Sequence, residues 1–90
     1  MVLSPTERHV LQAATALGDE FRDEELVRVG AIDRATLTAA LHALVAHGFV
    51  EQVGVGRYRF LDSTVREVLY ERIVENVRRE LKVRVEASRA

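Results

Sequence analysis

The stretch "FVEQVGVGRYRFLDSTVREVLYE", residues 49–71, decides how this chain is read. "FVEQV" and "RYRFL" are short β-forming runs joined by a glycine-bearing turn, which predicts two strands in a hairpin. Period-two alternation puts Arg57 and Arg59 on one face of the second strand, and Tyr58 and Phe60 on the other. Asp62-Ser63 then opens a helix without an intervening linker. Two readings of the hairpin tip follow. The arginines contact a phosphate backbone, or they stay solvated and pair with nearby acids while the aromatics complete a core. Two cations are too few to hold a duplex against salt, so the second reading is favoured.

Upstream, "SPTERHVLQAATALG" carries a full set of helix signals. Ser4 caps, Pro5 suits the first helical position, Glu7 closes an S-x-x-E capping box, and Gly18 provides the stop. Val10, Leu11, Ala14 and Leu17 form its apolar stripe. "EFR", Glu20 to Arg22, is long enough only for a bridging strand. Asp23 is expected to cap a short helix, "EELVRVG", that ends near Gly30. A third helix runs from the Asp33 cap to Gly48, with Leu37, Leu41, Leu44 and Val45 on its inner side.

Downstream of Ser63, Val65, Leu69, Ile73, Val77, Leu81 and Val85 recur at four-residue steps, and Val68 and Val74 widen the stripe. This predicts one long helix or two, with a weak point near Glu75-Asn76-Val77. The order helix, short strand, helix, helix, hairpin is that of a winged helix: a helix-turn-helix unit plus a wing, mainly α with a small β-hairpin. Residues 1–62 are read as that core, and residues 63–90 as an amphipathic helical extension packed on it.

The 90 residues are one small domain, 48% hydrophobic and 30% charged, with net charge −1. There is no cysteine and no apolar run of membrane-spanning length, so a cytoplasmic setting is expected and a membrane partner is not. Residues 1–56 hold eight acids and four bases, residues 57–90 six acids and nine bases. Any electropositive surface therefore has to come from the C-terminal third.

Catalysis and cofactor binding are not expected. His42 and His47 are five residues apart and miss the spacing of a helical metal pair. "GVG" joins two strands rather than a strand and a helix, so it is no phosphate loop. Ser4 and Ser63 sit at helix starts, where capping accounts for them.

With its leucines inward, the third helix turns Ala35, Ala39, His42, Ala43 and Ala46 outward. Small side chains let another element approach closely, so these residues are candidates for docking a neighbouring domain or a second copy. The alternative role for this fold is DNA binding, with Arg34, Thr38 and His42 on the helix and Arg57 and Arg59 on the wing as candidate contacts. Arg34 is the only Lys or Arg on the third helix, which disfavours that alternative. Homodimerisation through the C-terminal helix is a further alternative.

The segments "LHALVAHGFVE", "GRYRFLD", "VREVLYE" and "RRELK" occur in an order that resembles a known family. It is the winged-helix module following the ATPase core in bacterial signal-transduction ATPases with numerous domains, including large LuxR-type and adenylyl-cyclase-linked regulators. The similarity extends over residues 16 to 87. It implies an ATPase core before residue 1 and repeat or effector domains after residue 90. It also implies a module that couples nucleotide state to neighbouring domains, with Arg66, Glu67 and Tyr70 matching the R-E-x-x-Y element. Tyr70 is expected against the hairpin and Arg66 against a neighbouring acid or a partner domain. Asp62 and Lys82 stand where the family often has histidine. An aspartate repels phosphate, so nucleotide contact is not carried over to position 62.

Overall fold

The computed structural model describes residues 3–89. They form helix α1 (Pro5–Leu17), strand β1 (Glu20–Arg22), helices α2 (Asp23–Gly30) and α3 (Arg34–Ala46), strands β2 (Val50–Gly54) and β3 (Arg57–Phe60), and helices α4 (Ser63–Glu71) and α5 (Glu75–Arg89). The protein is mainly helical with one small antiparallel sheet in the order β1-β3-β2.

The local signals of α1 act as read. The Glu7 amide donates to the Ser4 hydroxyl at 3.1 Å, and the Ser4 amide to the Glu7 carboxylate at 3.0 Å, so both ends of the capping box close. Gly18 leaves α1 at φ +131 while its N–H still reaches the Ala14 carbonyl. The chain can then turn into β1, where Phe21 pairs with Tyr58. Val50 pairs with Phe60 across the hairpin, and the register is irregular between Gln52 and Gly54.

These strands exist chiefly to aim three rings. Phe21 stacks on Tyr58 with centroids 6.1 Å apart and meets Phe60 edge-on at 5.7 Å. All three are buried with Leu26, Val29, Leu37, Leu41 and Leu44 in one core. Ile73, Leu81 and Val85 belong to the same core, so the C-terminal helices share it with the N-terminal ones.

Several expectations need correction. Val45 is 39% exposed, and Ala40 takes its place in the inner row with Leu37, Leu41 and Leu44. Positions 37, 40, 41 and 44 lie on a narrow stripe, and 45 falls one residue beyond it. Asp23 does not cap α2. Arg22 holds the cap position, with its amide donating to the Glu25 carboxylate at 3.0 Å, while the Asp23 amide is taken by the Gly56 carbonyl at 2.9 Å. The hairpin turn thus competes successfully for the start of α2.

The C-terminal region is two helices, broken at residues 72–74, just before the expected weak point. A row at four-residue steps winds off one face by about 40° per step, because the helix repeats every 3.6 residues. One straight helix would carry its two ends to different faces. The break resets the phase: Ile73 turns into the core, Leu81 and Val85 follow on α5, and Val65, Val68, Val74 and Val77 stay exposed. No single helix among the described residues is long and apolar enough to cross a membrane.

Candidate interaction surface

The outward face of α3 carries exposed Ala35, Thr38, Ala39, His42 and Ala46. Ala43, expected among them, is half-buried instead. The Thr38 hydroxyl donates to the Arg34 carbonyl at 2.9 Å, a bond within the helix. Arg34 itself donates to Asp23 on α2 at 2.9 Å. At the base of this face, Asp33 caps α3 by accepting from the Thr36 amide at 3.0 Å and the Thr36 hydroxyl at 2.7 Å. The hydroxyl, then the amide, hold its carboxyl below the ordinary aspartate value.

The hairpin cations are likewise occupied. Arg57 reaches Glu20 on β1 at 2.9 Å, and Arg59 pairs with Glu51 across the strand. Tyr58 and Phe60 lie underneath in the core. Burial, and secondarily the Asp23 charge, push the Tyr58 phenol above its usual value. Asp62, the departure from the family pattern, accepts the Thr64 amide at 2.8 Å and caps α4.

Several bases of the C-terminal third fasten helices together. Arg66 donates from Nε to the Thr15 carbonyl at 3.1 Å and approaches Asp19 at 3.5 Å. Arg89 donates to the Leu17 carbonyl at 2.9 Å and Arg84 to the Val29 carbonyl at 3.4 Å. Those oxygens end α1 and α2, where a helix has unpaired acceptors and a partial negative charge. Arg84 and Arg79 also pair with Glu80 and Glu75 one turn earlier. Of the two placements expected for Arg66, a neighbouring acid or a partner domain, its contacts here are with Asp19 and the Thr15 carbonyl of the chain itself. Tyr70 packs against the shared core with Arg78 5.7 Å over its ring, and α4 lies chiefly on α1.

Arg22 pairs with Glu24, and Arg28 donates to the Ser88 hydroxyl. Among the described residues, that leaves Arg8, Arg72 and Lys82 as the cations whose side chains have no carboxylate, carbonyl, hydroxyl or ring partner. Arg8 and Arg72 border the same feature, a cleft of about 290 Å³ between α1 and α4. Leu11, Phe49, Leu69 and Ile73 form its apolar walls. Helix α4 buries no residue fully, and it leaves Val65 and Val68 about 40% exposed beside the cleft. Sequence reasoning missed this site because it assigned all the α4 valines to the core. The available signal was the drift of the four-residue row.

Elsewhere, a shallower recess of about 220 Å³ separates the first turn of α1 from Ala39 and Ala40 on α3. Among the described residues, no three histidine or acidic side chains converge on a point that would hold a metal ion. No buried side-chain nitrogen or oxygen there lacks a hydrogen-bond partner, so no polar group is held ready for a buried ligand. The chain matches no family model, no curated protein and no solved structure.

Proposed function

We propose that this chain is a winged-helix interaction module without catalytic activity of its own. In this reading it belongs to a multidomain signalling ATPase or transcriptional regulator and transmits nucleotide state to neighbouring domains by protein contact. A cytoplasmic setting goes with that role. The fold reading draws support from the element order and from the 115° change of direction between α2 and α3, which suits a helix-turn-helix. It is also supported by the β1-β3-β2 sheet, in which β1 adds a third strand to the β2–β3 hairpin.

The observation that carries the functional reading is the fate of the cations. Arg34, Arg57 and Arg59, the groups a DNA complex would need, are each paired with a carboxylate of the chain itself. Using them on phosphate means giving up those pairs, and the acids left behind would repel the backbone. Apolar surface, by contrast, remains open on α3 and α4. For the homodimer alternative, Leu81 and Val85 of α5 face their own core, which leaves Val77 and Val83 as the large apolar side chains that helix offers a second copy.

Fluorescence anisotropy with labelled duplexes of varied sequence at low salt tests the reading. Binding no tighter than non-specific association, about 10⁻⁴–10⁻⁶ M, with no sequence preference is expected. Sequence-dependent binding well below micromolar would replace it with the DNA-binding alternative.

A further inference from the structure

We infer that the cleft between α1 and α4 is a docking groove for an acidic amphipathic helix of a partner domain or protein. The inference rests on the interaction-module reading and names the chemistry of the contact. Two independent features meet at this place. Its walls are apolar side chains, and the Val65–Val68 row continues that surface along α4. Residues 65, 68 and 72 share one helix face, and Leu69 in the cleft lies beside Val65. The apolar track therefore runs parallel to α4, longer than a small ligand covers and suited to a helix laid alongside it.

The second feature is charge. Nearly all guanidinium groups are satisfied internally, yet among the described residues Arg8 and Arg72 have no partner, and both border this groove. Arg8 projects from α1 and Arg72 from the C-terminal cap of α4, so a partner has to present carboxylates on both sides of its apolar ridge. A basic or neutral ridge would leave both guanidinium groups facing an apolar or like-charged surface. The α3 face offers close approach but no such demand, since Arg34 is already paired with Asp23.

The probes are three 14-residue amphipathic peptides. The first has leucines on one face and glutamates on the other, the second replaces every glutamate with lysine, and the third replaces every leucine with alanine. Amide chemical shifts of the full chain are followed during each titration. The leucine–glutamate peptide is expected to perturb Leu11, Phe49, Leu69 and Ile73 and to bind about tenfold more tightly than its lysine counterpart, as two exposed ion pairs allow. R8E/R72E should reverse that preference, with R8Q/R72Q abolishing it and circular dichroism reporting the fold of each.

The assignment is overturned by equal binding of the acidic and basic peptides, by undiminished binding of the alanine peptide, or by shifts confined to α3. It is also overturned if decanoate competes as strongly as the peptide, or if light scattering shows a second copy covering the groove. A duplex titrated in the same way distinguishes failure of the groove from failure of the module. Tight DNA binding through α3 would sink the interaction-module reading itself. Failure of the acidic peptide with a blank DNA titration would sink the groove alone.

Discussion

The hairpin contains two glycines two residues apart, and only one of them needs to be glycine. Gly56 has φ +67, in the left-handed region that costs an L-residue roughly 1–2 kcal/mol. A Cβ there would also lie 3.0 Å from Oδ1 and 3.1 Å from Oδ2 of Asp23. That carboxylate is the end of a side chain and can yield, but it is held by Arg34 at 2.9 Å. The pair is partly exposed and contributes about 0.2–1 kcal/mol, so backbone strain outweighs the loss of the ion pair. Restricting the unfolded chain returns about 0.4–1 kcal/mol. Gly56→Ala should therefore destabilise by about 1–2 kcal/mol.

At Gly54 φ is not positive, and an added Cβ would meet nothing closer than the Arg57 side chain at 3.6 Å. Gly54→Ala should be neutral or stabilising by up to about 1 kcal/mol. The two variants then differ by about 2 kcal/mol, or roughly 8–16 °C in Tm for a domain of this size. Urea denaturation followed by circular dichroism measures the gap directly. Equal stabilities within about 0.5 kcal/mol, or the reverse order, would refute the conformational reasoning. Adding Asp23→Ala to both backgrounds separates backbone strain from the side-chain contact, which should account for no more than about 1 kcal/mol of coupling. Full recovery of Gly56→Ala by that change would show that the strain had been overestimated.

Removing the α4 fastening with Arg66→Ala should cost about 1.5–3 kcal/mol, the usual range for hydrogen bonds from a charged donor, and lysine should restore little because it lacks the fork. A loss below about 0.5 kcal/mol in thermal melts would instead mark Arg66 as free to serve a partner. Asp33 gives a pH test. Its folded-state value is lowered by the Thr36 hydroxyl and amide, so its stabilisation is complete above the ordinary value of about 3.9 and is lost as pH falls through the lowered value. Asparagine keeps the cap without the charge, so any advantage of the wild type over Asp33→Asn should shrink in acid. Urea midpoints that diverge further in the wild type's favour below about pH 4 would contradict this sign.

What the sequence shows most clearly is whatever acts over a few residues. The Ser4–Glu7 box, the Asp33 and Asp62 caps, the glycine stop of α1 and the alternation Arg57-Tyr58-Arg59-Phe60 all operate within one turn or one strand. Each is readable because the atoms that satisfy one another are fixed by local geometry. Where two distant segments compete for one group, local reading fails. Asp23 looks like a cap in isolation, but the Gly56 carbonyl claims its amide and Arg34 its carboxylate. Val45 and Val68 look like core residues by type, yet rotation about their helices leaves them outside.

The elements, their order and the aromatic-inward face of the hairpin are written in the chain, because periodicity and capping are properties of neighbouring residues. The excess of bases in residues 57–90 is written there too, although not their use. That use emerges from the packed fold. Arg66, Arg84 and Arg89 close the open carbonyl ends of α1 and α2, more than fifty residues away in the chain, and Arg57 and Arg59 neutralise strand neighbours. Apart from the i,i+4 pairs Arg79–Glu75 and Arg84–Glu80, a cation's partner depends on which helix ends and strand edges the fold brings within about 3 Å of it, and no spacing along the chain encodes that. Arg8 and Arg72 stand out on the same grounds: they are conspicuous only after the other arginines have found their acceptors.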